Sequence, residues 1–122
     1  MPKIVVPAIF SRYREQIDQE LLRATRGPDL SLYTMVHYQL GWVDATGAEV
    51  NADRGKAIRP TLCLLMCEAL GGTIDRAVPP AAGLELLHNF SLIHDDVMDG
   101  DETRRHRLTV WPIWGHAQAI DA

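Results

Sequence analysis

The sequence is short of several things, and each shortage narrows the field. No apolar run approaches the roughly 18 residues of a membrane span, so any membrane contact would be peripheral. The start, Met1-Pro2-Lys3-Ile4-Val5-Val6-Pro7, is too short and too broken by proline for a signal peptide. Basic residues are not in excess, with 12 Lys and Arg against 16 Asp and Glu and a net charge of −4, so a nucleic-acid partner is not indicated. There are two cysteines, Cys63 and Cys67, four apart in the apolar run Leu62-Cys63-Leu64-Leu65-Met66-Cys67. No second Cys or His pair lies nearby to complete a zinc site, so they read as small apolar residues on one helix face. A disulfide framework is not indicated, and a reducing cytoplasm is the natural compartment. Internal repeats and low-complexity tracts are absent. So is a convincing strand, since Ile4-Val5-Val6 is β-branched but short and terminal.

What is present suits a globular domain of 122 residues, 47% apolar and 23% charged. Helical spacing of Ile9, Tyr13, Ile17, Leu21 and Leu22 predicts a first helix over 8–25, stopped by Arg26-Gly27-Pro28. Leu32, Met35, Val36, Gln39 and Leu40 share a face of a second, over 30–43. Residues 44–54 read as a polar loop. A third helix is expected from Pro60, a good first-turn residue, to Gly71-Gly72. The fourth is expected from Pro79-Pro80 to Asp99. Its stretch Ala81-Ala82-Gly83-Leu84-Glu85-Leu86-Leu87 is apolar nearly all round, as in a helix buried among others. Gly100 ends it, 101–109 reads as a loop, and a last helix is only beginning at Ala122. The fold class is all-α. Residues 110–122 carry no cap signal or closing turn. The expectation is a truncated domain, or one completed by another chain, with a large apolar patch if left alone.

The chemistry concentrates on the fourth helix. At about 100° per residue, Asp95 and Asp99 share a face, His88 falls on nearly the same stripe, and Asp96 flanks it. Carboxylates so close repel and raise at least one pKa unless a cation sits among them. Hard oxygen donors suit Mg²⁺, which takes one or two carboxylates and completes its shell with water and substrate phosphate. Cations follow in Arg104, Arg105 and Arg107. Others precede, in Gly55-Lys56-Ala57-Ile58-Arg59-Pro60, where a helix start adds its positive dipole end. Arg grips phosphate with a fork of donors and Lys as a point charge. Metal-binding carboxylates with two sets of cations imply diphosphate chemistry. Taken singly, each element has a plainer reading: a solvated helix end, a surface Arg pair, and a His94 hydrogen-bonded to its neighbour. A calcium loop fails, because Val97 stands where an oxygen ligand belongs and no Glu closes a 12-residue loop.

The order Gly-Lys-x-x-Arg-Pro, Glu85-Leu86-Leu87-His88, Leu92-Ile93-His94-Asp95-Asp96-Val97-Met98-Asp99 and Thr103-Arg104-Arg105 resembles the polyprenyl synthetase family, the trans-isoprenyl diphosphate synthases. The resemblance runs over about residues 8–122. It implies the N-terminal helices of the type I isoprenoid synthase fold. It implies that Asp95 and Asp99, with Asp96 supporting, hold Mg²⁺ against an allylic diphosphate that Arg104 also grips. Lys56, Arg59, His88 and Arg105 would bind the diphosphate of isopentenyl diphosphate. The implied reaction ionises the allylic substrate, joins it to isopentenyl diphosphate and loses a proton. A homodimer formed through helices is also implied. Phe90 either floors the product pocket, giving a short C15–C20 product, or belongs to the core. His106 stands where the family usually has Gly, which should alter the loop or the pitch of Arg105. The second aspartate-rich motif and later lysine and glutamine positions are missing from these 122 residues, and family members are more than twice as long. The chain alone is therefore expected not to catalyse condensation. The alternative is a non-catalytic diphosphate- or partner-binding subunit. A terpene cyclase is disfavoured by Lys56, Arg59 and His88, since a cyclase has no second diphosphate to bind.

Overall fold

A computed structural model of the chain describes residues 8–122. The Ile4-Val5-Val6 reading and the view of the extreme N-terminus lie outside the described residues. The elements are α1 (Ile9–Arg12), α2 (Arg14–Ala24), α3 (Ser31–Gln39), α4 (Ile58–Ala69), α5 (Ile74–Asp99), the strands β1 (Thr103–Arg104) and β2 (Arg107–Leu108), α6 (Val110–Trp114) and α7 (His116–Asp121). The architecture is all-α with one two-residue hairpin. None of the helices among the described residues is long and apolar enough to cross a membrane.

The chain forms two compact units. One holds residues 8–24 with Gly55–Leu86, the other Thr25–Arg54 with Leu87–Ala122. In the first, Ile17 and Leu21 of α2, Leu64 of α4, and Ala81 and Ala82 of α5 are nearly inaccessible. The single helix expected over 8–25 is two, broken at Tyr13, where the backbone leaves helical dihedrals. The break seats the Tyr13 ring in the core, while its hydroxyl donates to the Glu68 carboxylate on α4 at 2.6 Å and Arg12 pairs with the same carboxylate at 2.8 Å.

The expected helix starts need correction. α4 begins at Ile58, two residues before Pro60, after Ala57 in a left-handed conformation (φ 50°). α5 begins at Ile74, so Pro79 and Pro80 lie inside it. Proline's fixed φ suits a helix. Its cost is a lost i→i−4 hydrogen bond and crowding of the carbonyl four residues back, here in the second turn at exposed positions. The stretch 81–87 is also less enclosed than its composition suggested. Ala81, Ala82 and Glu85 are buried, whereas Leu84 and Leu87 are exposed. Ile58, Leu62 and Met66 of α4, and Leu70 just past its end, recur every four residues and are all exposed. Cys63 and Cys67 are free thiols, half-buried on α4.

In the second unit, Met35 and Tyr38 of α3, Ile93 of α5, Val110 of α6 and Ala119 of α7 form the core. α3 stops at Gln39, short of the expected Val43, as Gly41 takes φ 83° close against Arg54 and Asp53. The polar loop that follows is built on Asp44. Its carboxylate accepts from the Thr46 amide, the Thr46 hydroxyl and the Ala48 amide, which hold it below the usual carboxylate range.

Leu64 and Leu62 lie on the same helix but differ in burial, 0% against 54% exposed. Leu64→Ala should cost about 2–5 kcal/mol in denaturant unfolding, and Leu62→Ala within about 0.5 kcal/mol of zero. Equal losses at the two positions would contradict the packing described.

Candidate active site

The last turn of α5 carries Asp95, Asp96 and Asp99 and no basic residue. A helix C-terminus already bears partial negative charge, so carboxylates there raise the local demand for a cation. The three are not equivalent. Asp95 and Asp99 are exposed, one turn apart. Asp96 is turned inward and is 1% exposed. A buried carboxylate needs a charged, hydrogen-bonded partner, and Arg104 supplies it. Nη2 donates to Oδ1 at 2.8 Å, and Nε lies 3.2 Å and 3.3 Å from the two oxygens. The hydrogen bond to Asp96 raises the Arg104 pKa above its ordinary value. The guanidinium has five N–H donors, and this pairing uses Nε and one Nη.

Arg104 reaches Asp96 because the expected loop 101–109 contains the hairpin. Thr103 pairs with Leu108 and Arg104 with Arg107 across β1 and β2. The two-residue turn, Arg105 and His106, has positive φ at both positions, 52° and 64°. Such a turn matches the twist of antiparallel strands and is normally signalled by Asn-Gly or Gly-Gly. Its absence here explains why the sequence reads as loop. His106, with no glycine's freedom, adopts the left-handed conformation without losing the hairpin. The carbonyl of Asp101 fixes the approach to β1, accepting from the Thr109 hydroxyl at 2.7 Å and from Trp111 Nε1 at 2.8 Å.

A second set of contacts was not legible in the sequence. Arg107 donates to the carbonyls of Tyr38 (3.0 Å) and Val43 (2.8 Å) and lies 3.9 Å over the Tyr38 ring. The Tyr38 hydroxyl donates to the Leu108 carbonyl at 2.5 Å. Burial raises the Tyr38 pKa, against the opposing effect of Arg107, and the phenol remains a donor. Tyr38, Asp96, Arg104, Arg105 and Arg107 line one small, open crevice.

The other sequence-chosen residues fall as follows. His88 is half-buried on α5 in the second unit. His94 bonds through Nε2 to the Ile120 carbonyl at 3.0 Å, and its ring lies 4.2 Å from that of Phe90. Phe90 is 43% exposed, so it does not belong to the core of the described residues. Lys56 and Arg59 belong to the first unit, exposed at the start of α4. No group of three or more His, Cys, Asp or Glu positioned to hold a metal occurs among the described residues. The donor set is thus two exposed carboxylates, and it fits a hard cation that draws its remaining ligands from water and a phosphate-bearing partner.

The polyprenyl synthetase family model matches residues 41–122. A (2E,6E)-farnesyl diphosphate synthase of Mycobacterium bovis is 52% identical over 92 residues, 75% of this chain and 26% of the relative. A geranylgeranyl diphosphate synthase of Mycobacterium tuberculosis is 42% identical over 120 residues, 98% of this chain and 34% of the relative. The crystal structure of a polyprenyl synthetase from Streptomyces coelicolor superposes with a TM-score of 0.83 at 46% identity, over 95% of this chain and 34% of that one. The chain spans about a quarter to a third of the length of these relatives.

Two stability tests follow. Arg104→Met strands the buried Asp96 charge and should cost about 3–5 kcal/mol, whereas Asp96→Asn leaves a half-exposed guanidinium that water can reach and should cost less. The reverse order in thermal unfolding would contradict the pairing. His106→Gly should stabilise by roughly 0.5–1 kcal/mol, and His106→Val should destabilise by about 1–2 kcal/mol, both set by the left-handed turn. A stabilising valine would rule that turn out.

Proposed function

Because the chain belongs to the polyprenyl synthetase family, we propose that it carries the allylic-diphosphate half of a trans-isoprenyl diphosphate synthase active site. The observation that carries this reading is the division of labour among the aspartates. Asp95 and Asp99 stand exposed one turn apart at the negative end of α5, while Asp96 is withdrawn to hold Arg104.

In this reading Asp95 and Asp99 would hold Mg²⁺ against the allylic diphosphate. Asp96 acts from behind, by fixing Arg104. The Arg104 donors not spent on Asp96 serve the same diphosphate. Mg²⁺, when bound, supplies positive charge that stabilises the departing diphosphate. Arg104 places fixed donors where that negative charge grows. Lys56 and Arg59, at the positive end of α4, with His88 and Arg105, serve the diphosphate of isopentenyl diphosphate. That substrate's double bond attacks the allylic carbon, and a proton then leaves the new carbon skeleton. A short C15–C20 product is supported by the farnesyl and geranylgeranyl diphosphate synthases among the relatives. On this reading Phe90 lines the product pocket. The working protein is a cytoplasmic homodimer formed through its helices.

Isothermal titration with geranyl diphosphate tests the proposal. Binding should require Mg²⁺. Asp95→Asn and Asp99→Asn should each weaken it by about tenfold or more, the usual worth of a charge-assisted contact. The 122 residues alone should bind without condensing. Binding that ignores both Mg²⁺ and these substitutions would overturn the reading and leave a partner-binding subunit as the better account.

A further inference from the structure

We infer that Tyr38 and Arg107 are positioning residues that latch the hairpin bearing Arg104 and Arg105, fixing the pitch of both cations for an anionic ligand. The inference rests on the proposed diphosphate site and assigns a role to two residues outside it. Its basis is geometric. β1 and β2 are two residues each, too short to hold themselves in water. Their turn has the left-handed backbone at two non-glycine residues, which works against the hairpin. Something outside must therefore fix it.

Three hydrogen bonds and one ring contact do so, from Tyr38 in α3 and Val43 in the loop beyond it. The Arg107 fork spans two carbonyls, those of Tyr38 and Val43, and its central carbon lies 3.9 Å over the centre of the Tyr38 ring. The Tyr38 hydroxyl returns a bond to the Leu108 carbonyl on the same strand. Tyr38 is itself immobilised, 6% exposed and edge-on to Trp114 with ring centres 5.2 Å apart. Arg107 pairs directly with Arg104 across the hairpin. Tilting β2 would therefore move the guanidinium that holds Asp96, and the turn residue Arg105 with it.

This role separates Arg107 from Arg104 and Arg105. Its charge is spent on carbonyls and a ring face. Lysine would keep the charge but lose the fork that spans two carbonyls. If Arg107 positions, Arg107→Lys fails as badly as Arg107→Met. If it bound the ligand by charge, lysine would largely suffice. Tyr38→Phe keeps the ring and removes one hydrogen bond.

The test measures geranyl diphosphate affinity in Mg²⁺ for the 122-residue chain and for Tyr38→Phe, Arg107→Lys, Arg107→Met and the double variant Tyr38→Phe/Arg107→Lys. Amide hydrogen exchange over residues 103–109 is followed in parallel. Each single variant should weaken binding by about fivefold or more, the scale of one lost hydrogen bond. The double variant should be little worse than either, since both break one latch. Exchange should quicken in 103–109 and stay unchanged in 93–99. Wild-type binding with unaltered affinity in Tyr38→Phe and Arg107→Lys would overturn the latch alone. So would lysine retaining what methionine loses, or unchanged exchange in the hairpin. A wild-type chain that binds no diphosphate would instead overturn the function proposed above.

Discussion

Three carboxylates at the negative end of a 26-residue helix set the terms for everything around them. Neither the helix dipole nor mutual repulsion favours them there. Two outcomes relieve the strain, and the chain uses both. One aspartate, Asp96, is buried and neutralised by an arginine of its own chain. The other two are left to solvent and to whatever cation reaches them. A cluster neutralised wholly from within would have no need of a ligand. A cluster left wholly open would have no fixed arginine beside it.

The hairpin follows from that constraint. Arg104 is eight residues past Asp96, beyond the reach of the helix itself, so the chain has to double back. It does so through Gly100 in a left-handed conformation, the Asp101 carbonyl clasped by Thr109 and Trp111, and a turn at Arg105 and His106. The polar contacts of Arg107 and Tyr38 then tie the return strand to α3. The apolar core of Met35, Tyr38, Ile93 and Val110 lies beneath these contacts. Packing and site are thus joined at one residue, Tyr38, whose ring is core and whose hydroxyl and carbonyl are part of the support.

Much of this was legible in the sequence, for reasons that differ by residue. The i, i+4 spacing of Asp95 and Asp99 reports a shared helix face whatever the tertiary structure. The family motif is equally local, and the family it suggested is the one to which the chain belongs. The all-α class came from periodicity and held. Boundaries did not, and each failure has a cause. Pro79 and Pro80 look like a start but are tolerated within α5. Tyr13 breaks a periodic helix because its hydroxyl meets Glu68, 55 residues away. The hairpin was invisible because its strands are short and its turn lacks glycine. Tyr38 and Arg107 act through partners about 65–70 residues distant, a separation no local pattern encodes.

The central claim is that Asp95 and Asp99 form a metal site only with a diphosphate to complete it. Paramagnetic broadening by Mn²⁺, in place of Mg²⁺, locates such a site directly. With Mn²⁺ and inorganic pyrophosphate together, the amides around Asp95 and Asp99 should broaden selectively, and Mn²⁺ alone should have little effect there. Broadening centred elsewhere, or equally strong without pyrophosphate, would contradict the account.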